Sequence, residues 1–156
     1  MAAITAARGG RQVVVLDHNA EVGRKILISG GGRCNFTNLD IRPECYLSQN
    51  RRFPYSELSR YKPADFLELL KKHHIPWHEK KLGQLFCDNS ASDIVTMLLA
   101  ECAQAHVRVM TDVKVTSVSR SDQFSVETSA GNFSARAVVL ATGGLSVPKT
   151  GATGFA

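Results

Sequence analysis

The spacing of apolar residues changes along the chain, and each change marks an element. Met1 to Arg8 is a run of small residues that reads as the tail of a helix, closed by Gly9-Gly10. Val13 to Leu16 is an unbroken, largely β-branched run, the pattern of a strand covered on both faces in a parallel sheet. Asp17 stands at its carboxyl end. The segment from Leu39 to Tyr61 has no regular period. Pro63-Ala64-Asp65 then opens a helix through about His73, with Phe66, Leu67, Leu69 and Leu70 on its apolar side, and Pro76 ends that unit. "WHEKKLGQLFC" has two extended arms around Gly83 and predicts a short hairpin. Ser90 to His106 repeats apolar residues at helical spacing (Ile94, Met97, Leu98, Cys102), with Ser90 placed to cap it.

From Val107 the period becomes two. Val113, Val115 and Val118 lead into "FSVET", a turn at Ala130-Gly131-Asn132 and "FSARA", which together predict an antiparallel meander. The meander runs into "AVVLATGG", Ala137 to Gly144, predicted as a second wholly apolar strand ending in a turn of small residues.

Composition narrows the partners. At 156 residues and 44% hydrophobic, the chain can build a core, yet it has no apolar window of the ~18 residues a membrane span needs. "MAAITAARGG" lacks a basic region followed by a hydrophobic one, so a cytoplasmic protein with no membrane partner is expected. The net charge of +5 suits an acidic partner. The basic residues are scattered, however, and the densest groups are pairs such as Arg51-Arg52, Lys71-Lys72 and Lys80-Lys81, with no basic stripe interleaved with aromatics. An anionic cofactor fits this better, and no nucleic-acid partner is expected. Cys34, Cys45, Cys87 and Cys102 are too far apart for a zinc pair, and Pro76 separates His74 from His78, so no metal is expected.

Three stretches carry candidate chemistry. In dinucleotide-binding units the second strand ends in an acid that accepts from a ribose, about 20 residues beyond a G-x-G-x-x-G loop. Asp17 is in the right place for that acid, but the loop would fall before Met1. "GRKILISGGGRCNFTN", Gly23 to Asn38, places three glycines among polar side chains. Glycines let backbone N–H groups approach an anion or a flat ring, and Arg24, Lys25 and Arg33 can add charge-assisted bonds. Ser29, Asn35 and Thr37 add neutral partners. The stretch does not fit G-x-x-x-x-G-K-[ST], so it reads as a binding loop other than a Walker A loop. "VVLATGG" suggests backbone approached closely at the carboxyl end of a parallel sheet, where ligands bind in open α/β folds.

Taken together, "GRKILISGGGRCNFTN", "YLSQN", "HEKKLGQLFC" and "ATGGLSVPKTGATGF" resemble the bacterial FAD-dependent flavoproteins of the aminoacetone oxidase family, also described as NAD(P)/FAD-dependent oxidoreductases. The resemblance covers essentially the whole chain. It implies an α/β, glutathione-reductase-like, Rossmann-type FAD-binding fold with an antiparallel meander. It implies that Asp17 binds the adenosine ribose, where the family more often has glutamate. Lys25, Ser29, Gly30, Gly31, Arg33, Cys34 and Asn35 would lie along the pyrophosphate and flavin. Val115 would present its backbone to the adenine, and Thr142, Gly143 and Gly144 would form a second FAD-contacting turn. The resemblance implies FAD as the cofactor, with NAD(P)H as an electron donor and a small-molecule substrate in the full-length family. No catalytic residue is nominated, and Cys34 reads as packing within the loop.

Members of that family run longer. The expectation is therefore an incomplete FAD-binding domain over 1–156, its first strand and glycine loop lying upstream and its substrate domain downstream. Within it, 1–38 would face ribose and flavin, 39–106 would be mainly helical, 107–144 would hold the meander and ATGG strand, and 145–156 would begin a linker. By itself such a chain is expected to fold marginally, to bind FAD weakly or not at all, and to be inactive. The rival expectations are a non-enzymatic nucleotide- or nucleic-acid-binding module and a gene fragment without function; neither oligomeric state nor substrate is legible.

Overall fold

The computed structural model describes residues 1–143. In chain order the elements are α1 (Ala2–Arg8), β1 (Val14–Leu16), α2 (Arg24–Ile28), β2 (Asn35–Asn38), α3 (Tyr55–Arg60), α4 (Pro63–Lys72), β3 (Trp77–Glu79), β4 (Gln84–Cys87), α5 (Ala91–Gln104), β5 (Arg108–Met110), β6 (Val115–Arg120), β7 (Phe124–Thr128) and β8 (Gly131–Ala135). Single 3-10 turns lie at Ser29–Gly31 and Pro43–Cys45. The chain divides into two compact units, Met1–Lys25 with Leu98–Ala156, and Ile26–Met97.

In the first unit, β1 and β5 pair in parallel, with Val14 opposite Arg108 and Leu16 opposite Met110. The pairing extends past both ends: Arg108 N donates to Val13 O at 3.1 Å, and Asp17 N donates to Met110 O at 2.9 Å. The parallel strand expected at Val13–Leu16 is therefore present, but Val14 is exposed rather than covered on both faces. Its partner was hidden in the sequence, because three residues are too few to show a period, and Arg108–Met110 read as the start of the meander. The meander itself is β6-β7-β8, antiparallel throughout, with Val126 buried.

The expected strand over Ala137 to Gly144 is corrected. Residues 137–143 belong to no strand, Val139 and Leu140 are exposed, and Gly144 lies outside the described residues. An apolar run becomes a strand only where a sheet edge takes up its backbone hydrogen bonds, and among the described residues none does.

Helix α1 ends as read, with Gly9 at its C-cap and Gly10 at a φ of 80°. Ile4 on this helix is fully buried. Arg8 on the same helix meets a feature the apolar pattern does not announce: Glu101, on α5, is 1% exposed and ion-paired with it.

In the second unit a three-stranded antiparallel sheet has the order β2-β4-β3. The hairpin around Gly83 joins β3 to β4, with His78 opposite Phe86. Leu85, Phe86 and Cys87 are consecutive buried residues on the central strand. Helix α4 starts as its sequence dictates: Pro63 occupies the first turn, and the Asp65 carboxylate accepts from Lys62 N at 2.6 Å. Its Leu70 is wholly buried, and Phe66 sits 5.7 Å from Phe36 between ring centroids. Helix α5 is capped by Ser90, whose hydroxyl accepts from Ser92 N at 3.1 Å, and it buries Ala91, Ile94 and Met97. No described helix is long and apolar enough to cross a membrane.

Candidate functional site

The glycine stretch is an ordered turn between two short elements. Helix α2 leads in, the 3-10 turn Ser29–Gly31 follows, and β2 leads out. Gly30, Gly31 and Gly32 have φ values of 58°, 69° and 85°, all in the left-handed region that a side chain disfavours. A Cβ on Gly30 would meet the Phe86 ring and Asn35 N, whereas one on Gly31 or Gly32 would meet nothing within 4 Å. The glycines thus meet different demands. Gly30 is needed for packing as well as for its backbone angle, while Gly31 and Gly32 satisfy the backbone alone and leave open space beside it.

Ser29 organises the turn. Its carbonyl accepts from Gly32 N at 3.1 Å and Cys34 N at 3.0 Å, and its hydroxyl donates to Ile26 O at 2.7 Å. The turn is then stitched to the unit's core: Cys87 N donates to Arg33 O at 2.9 Å, and Ala91 N donates to Gly32 O at 2.7 Å. Cys34 has a φ of 48° and is buried, with its N–H taken up by Ser29 O. Burial, followed by the neighbouring Cys34, pushes the Cys87 thiol up to about 12. With its amide turned so that the nitrogen faces them, Asn35 donates to the carbonyls of Thr37 and Leu85, both at 3.2 Å. The Arg33 side chain, by contrast, is exposed and makes no ion pair among the described residues.

In the first unit, Asp17 is half-buried at the carboxyl end of β1. Its Oδ1 accepts from Asn19 N at 2.9 Å and Asn19 Nδ2 at 2.8 Å. Asn19 Oδ1 in turn accepts from Arg24 at 2.7 Å, and Asn19 O accepts from Asp112 N at 3.0 Å. One carboxylate oxygen is therefore fixed by the local turn, and Oδ2 makes no hydrogen bond among the described residues. Asn19 is a supporting residue that the sequence reading missed; the signal available was the Asp-x-Asn spacing of an Asx turn.

The remaining expected residues are more dispersed. Lys25 is exposed in α2, and Val115 opens β6 opposite Thr128. Thr142 and Gly143 are exposed, with Gly143 at a φ of 74°. Ser29 to Asn35 are brought together as one turn, and Asp17, Val115, Thr142 and Gly143 fall in the other unit.

Each feature, taken within its own unit, suits one part of a nucleotide in kind. A carboxylate oxygen left for hydroxyl groups, and left-handed glycines with open space beside them, are what a ribose and a flat or phosphorylated group require.

Comparison with known proteins agrees with the fold. The model of the HI0933-like protein Rossmann domain matches residues 1–156. The ribosomal RNA dihydrouridine synthase of Escherichia coli is 48% identical over 96% of this chain, and that of Haemophilus influenzae 44% identical over 96%. The 3-dehydro-bile acid delta(4,6)-reductase of Clostridium scindens is 29% identical over 99% of the chain. The chain spans 38% of the length of each of these three relatives. Among solved structures, glycine oxidase from Geobacillus kaustophilus superposes with a TM-score of 0.55 at 17% identity, over 89% of this chain and 50% of that one, which shows a shared fold.

Proposed function

The chain belongs to the HI0933-like Rossmann-domain family, a family of FAD-binding oxidoreductase domains, and from that premise we propose that it contributes the FAD-binding part of an enzyme that reduces uridine in ribosomal RNA. The observation that carries this reading is the pair of relatives at 48% and 44% identity, both ribosomal RNA dihydrouridine synthases. The proposal departs from the small-molecule substrate expected of the sequence, and an RNA substrate agrees with a cytoplasmic location.

When bound, FAD supplies the hydride chemistry, and the protein's part is to bind and orient. Asp17 Oδ2 would accept from the adenosine ribose, and Val115 would offer its backbone to the adenine. The turn of Gly30 and Gly31, with Lys25, Ser29, Arg33, Cys34 and Asn35, would flank pyrophosphate and flavin. Thr142, Gly143 and Gly144 would form the second contacting turn.

A second reading is favoured by the Clostridium scindens relative, whose name describes reduction of a small-molecule steroid. Both names describe reduction of a carbon–carbon double bond, so the two readings differ in substrate rather than reaction class. The test is to load the full-length enzyme that contains this chain with FAD, reduce it chemically without oxygen, and add single-stranded uridine-containing RNA. Mass spectrometry should show uridine gaining two hydrogens. Reduction of a steroid dienone with no change in RNA would give the case to the second reading.

A further inference from the structure

The irregular segment between β2 and α4 carries a surface that the proposed cofactor site does not use. Phe53, Tyr55 and Tyr46 are 68%, 54% and 46% exposed. Among them stand Arg51, Arg52 and Arg60, all exposed, and none makes an ion pair or a side-chain hydrogen bond among the described residues. Glu57 is the only acid from Tyr46 to Tyr61. The basic residues that looked scattered along the chain are thus interleaved with exposed aromatics here.

The segment is not slack. Asn50 O accepts from Phe53 N at 3.0 Å, Asn50 Oδ1 accepts from Arg52 N at 3.1 Å, and Pro54 O accepts from Leu58 N at 2.9 Å at the start of α3. Pro54 is buried between two exposed rings, so the backbone is anchored while Phe53 and Tyr55 point away from the core. Burying large apolar rings is the ordinary outcome, and holding them outward beside unpaired guanidinium groups suits a partner that is both flat and anionic.

We infer that the Tyr46–Arg60 surface docks single-stranded RNA, its aromatic rings stacking on unpaired bases and its arginines pairing with phosphates. Stacking tolerates any base because every base has a π face, and the arginines add a salt-dependent attraction. A protein partner would match the rings but leave three positive charges to be neutralised. The inference rests on the reading of RNA as substrate.

The test measures binding of labelled oligouridylate to the protein by fluorescence anisotropy across a potassium chloride series. Two variants are compared with wild type: Phe53→Ala with Tyr55→Ala, and Arg51→Gln with Arg52→Gln and Arg60→Gln. Circular dichroism melting checks that each still folds. The aromatic variant should bind at least ~10-fold more weakly with its salt slope unchanged. The arginine variant should lower the slope of log affinity against log salt by about 2, since each phosphate contact on a single strand contributes about 0.7. If wild type binds RNA and both variants bind equally well, this surface is not the dock, although RNA remains the substrate. If the full-length wild-type enzyme neither binds nor reduces RNA, the substrate reading fails and this inference with it. Sedimentation showing a dimer that the aromatic variant dissolves, with RNA affinity unchanged, would overturn the inference in favour of a second copy of the chain.

Discussion

Gly30 lies directly against Phe86: a Cβ on the glycine would stand 2.7 Å from Phe86 Cε1 and 2.8 Å from Asn35 N. One of those atoms is backbone held in β2, and the other belongs to a ring buried on the central strand. Neither can yield cheaply, and the left-handed φ adds its own cost.

Gly30→Ala should therefore destabilise the protein by about 2–3 kcal/mol, combining backbone strain with overpacking. Gly31→Ala, at a φ of 69° with open space beside it, should cost only about 1 kcal/mol. Urea unfolding of the two variants checks the order. Equal losses would show that the Phe86 contact contributes nothing.

The buried Cys87 thiol predicts an alkaline limit. Its folded value, about 12, lies above the ordinary 9.0. Above that ordinary value the unfolded chain loses the proton while the folded chain keeps it, so unfolding is favoured by rising pH. The thiol's contribution is complete below about pH 9 and is lost between there and about 12. Thermal melts of wild type and Cys87→Ala across that window should converge as pH rises. At neutral pH, iodoacetamide should label exposed Cys45 first and reach Cys34 and Cys87 only when the fold opens, which peptide mapping would read.

Glu101 is buried with its carboxylate on Arg8. Arg8→Ala removes that partner and should cost about 3 kcal/mol, the low end for a broken buried pair because Arg8 is itself half exposed. Replacing both residues together, Arg8→Met with Glu101→Leu, should cost less than the single change, because no buried charge is left behind. Urea midpoints of wild type and the two variants decide it.

Asp17→Ala should weaken FAD binding ~10-fold or more, the loss of a charge-assisted hydrogen bond. Asn19→Ala should weaken it less, since it frees the carboxylate to rotate without removing it. Flavin fluorescence titration gives both values. An Asp17→Ala variant that binds FAD like wild type would remove Asp17 from the site.

Much of the local structure was legible because it depends on neighbours in sequence. Pro63 with Asp65 starts α4, Ser90 caps α5, and Gly83 turns the β3–β4 hairpin; each acts within a turn or two of its own position. The alternation from Val115 onward set the meander for the same reason. The motifs also carried the family, since a run such as Gly23 to Asn38 is long enough to be recognised without its surroundings.

Other features were decided by partners far along the chain. Arg108–Met110 is a strand because β1 offers it an edge, and 137–143 is none because no described edge receives it. Glu101 sits in a helix whose pattern says only amphipathic, and Arg8, distant in sequence, makes its burial tolerable. The exposure of Phe53 and Tyr55 follows from which neighbour, Pro54, is anchored. By itself the sequence determined where the helices and turns begin and which family the chain belongs to, because those depend on short-range sterics and hydrogen bonding. Tertiary structure alone decided which strands pair, which charges are buried and which rings face outward, because pairing and burial are properties of two surfaces meeting.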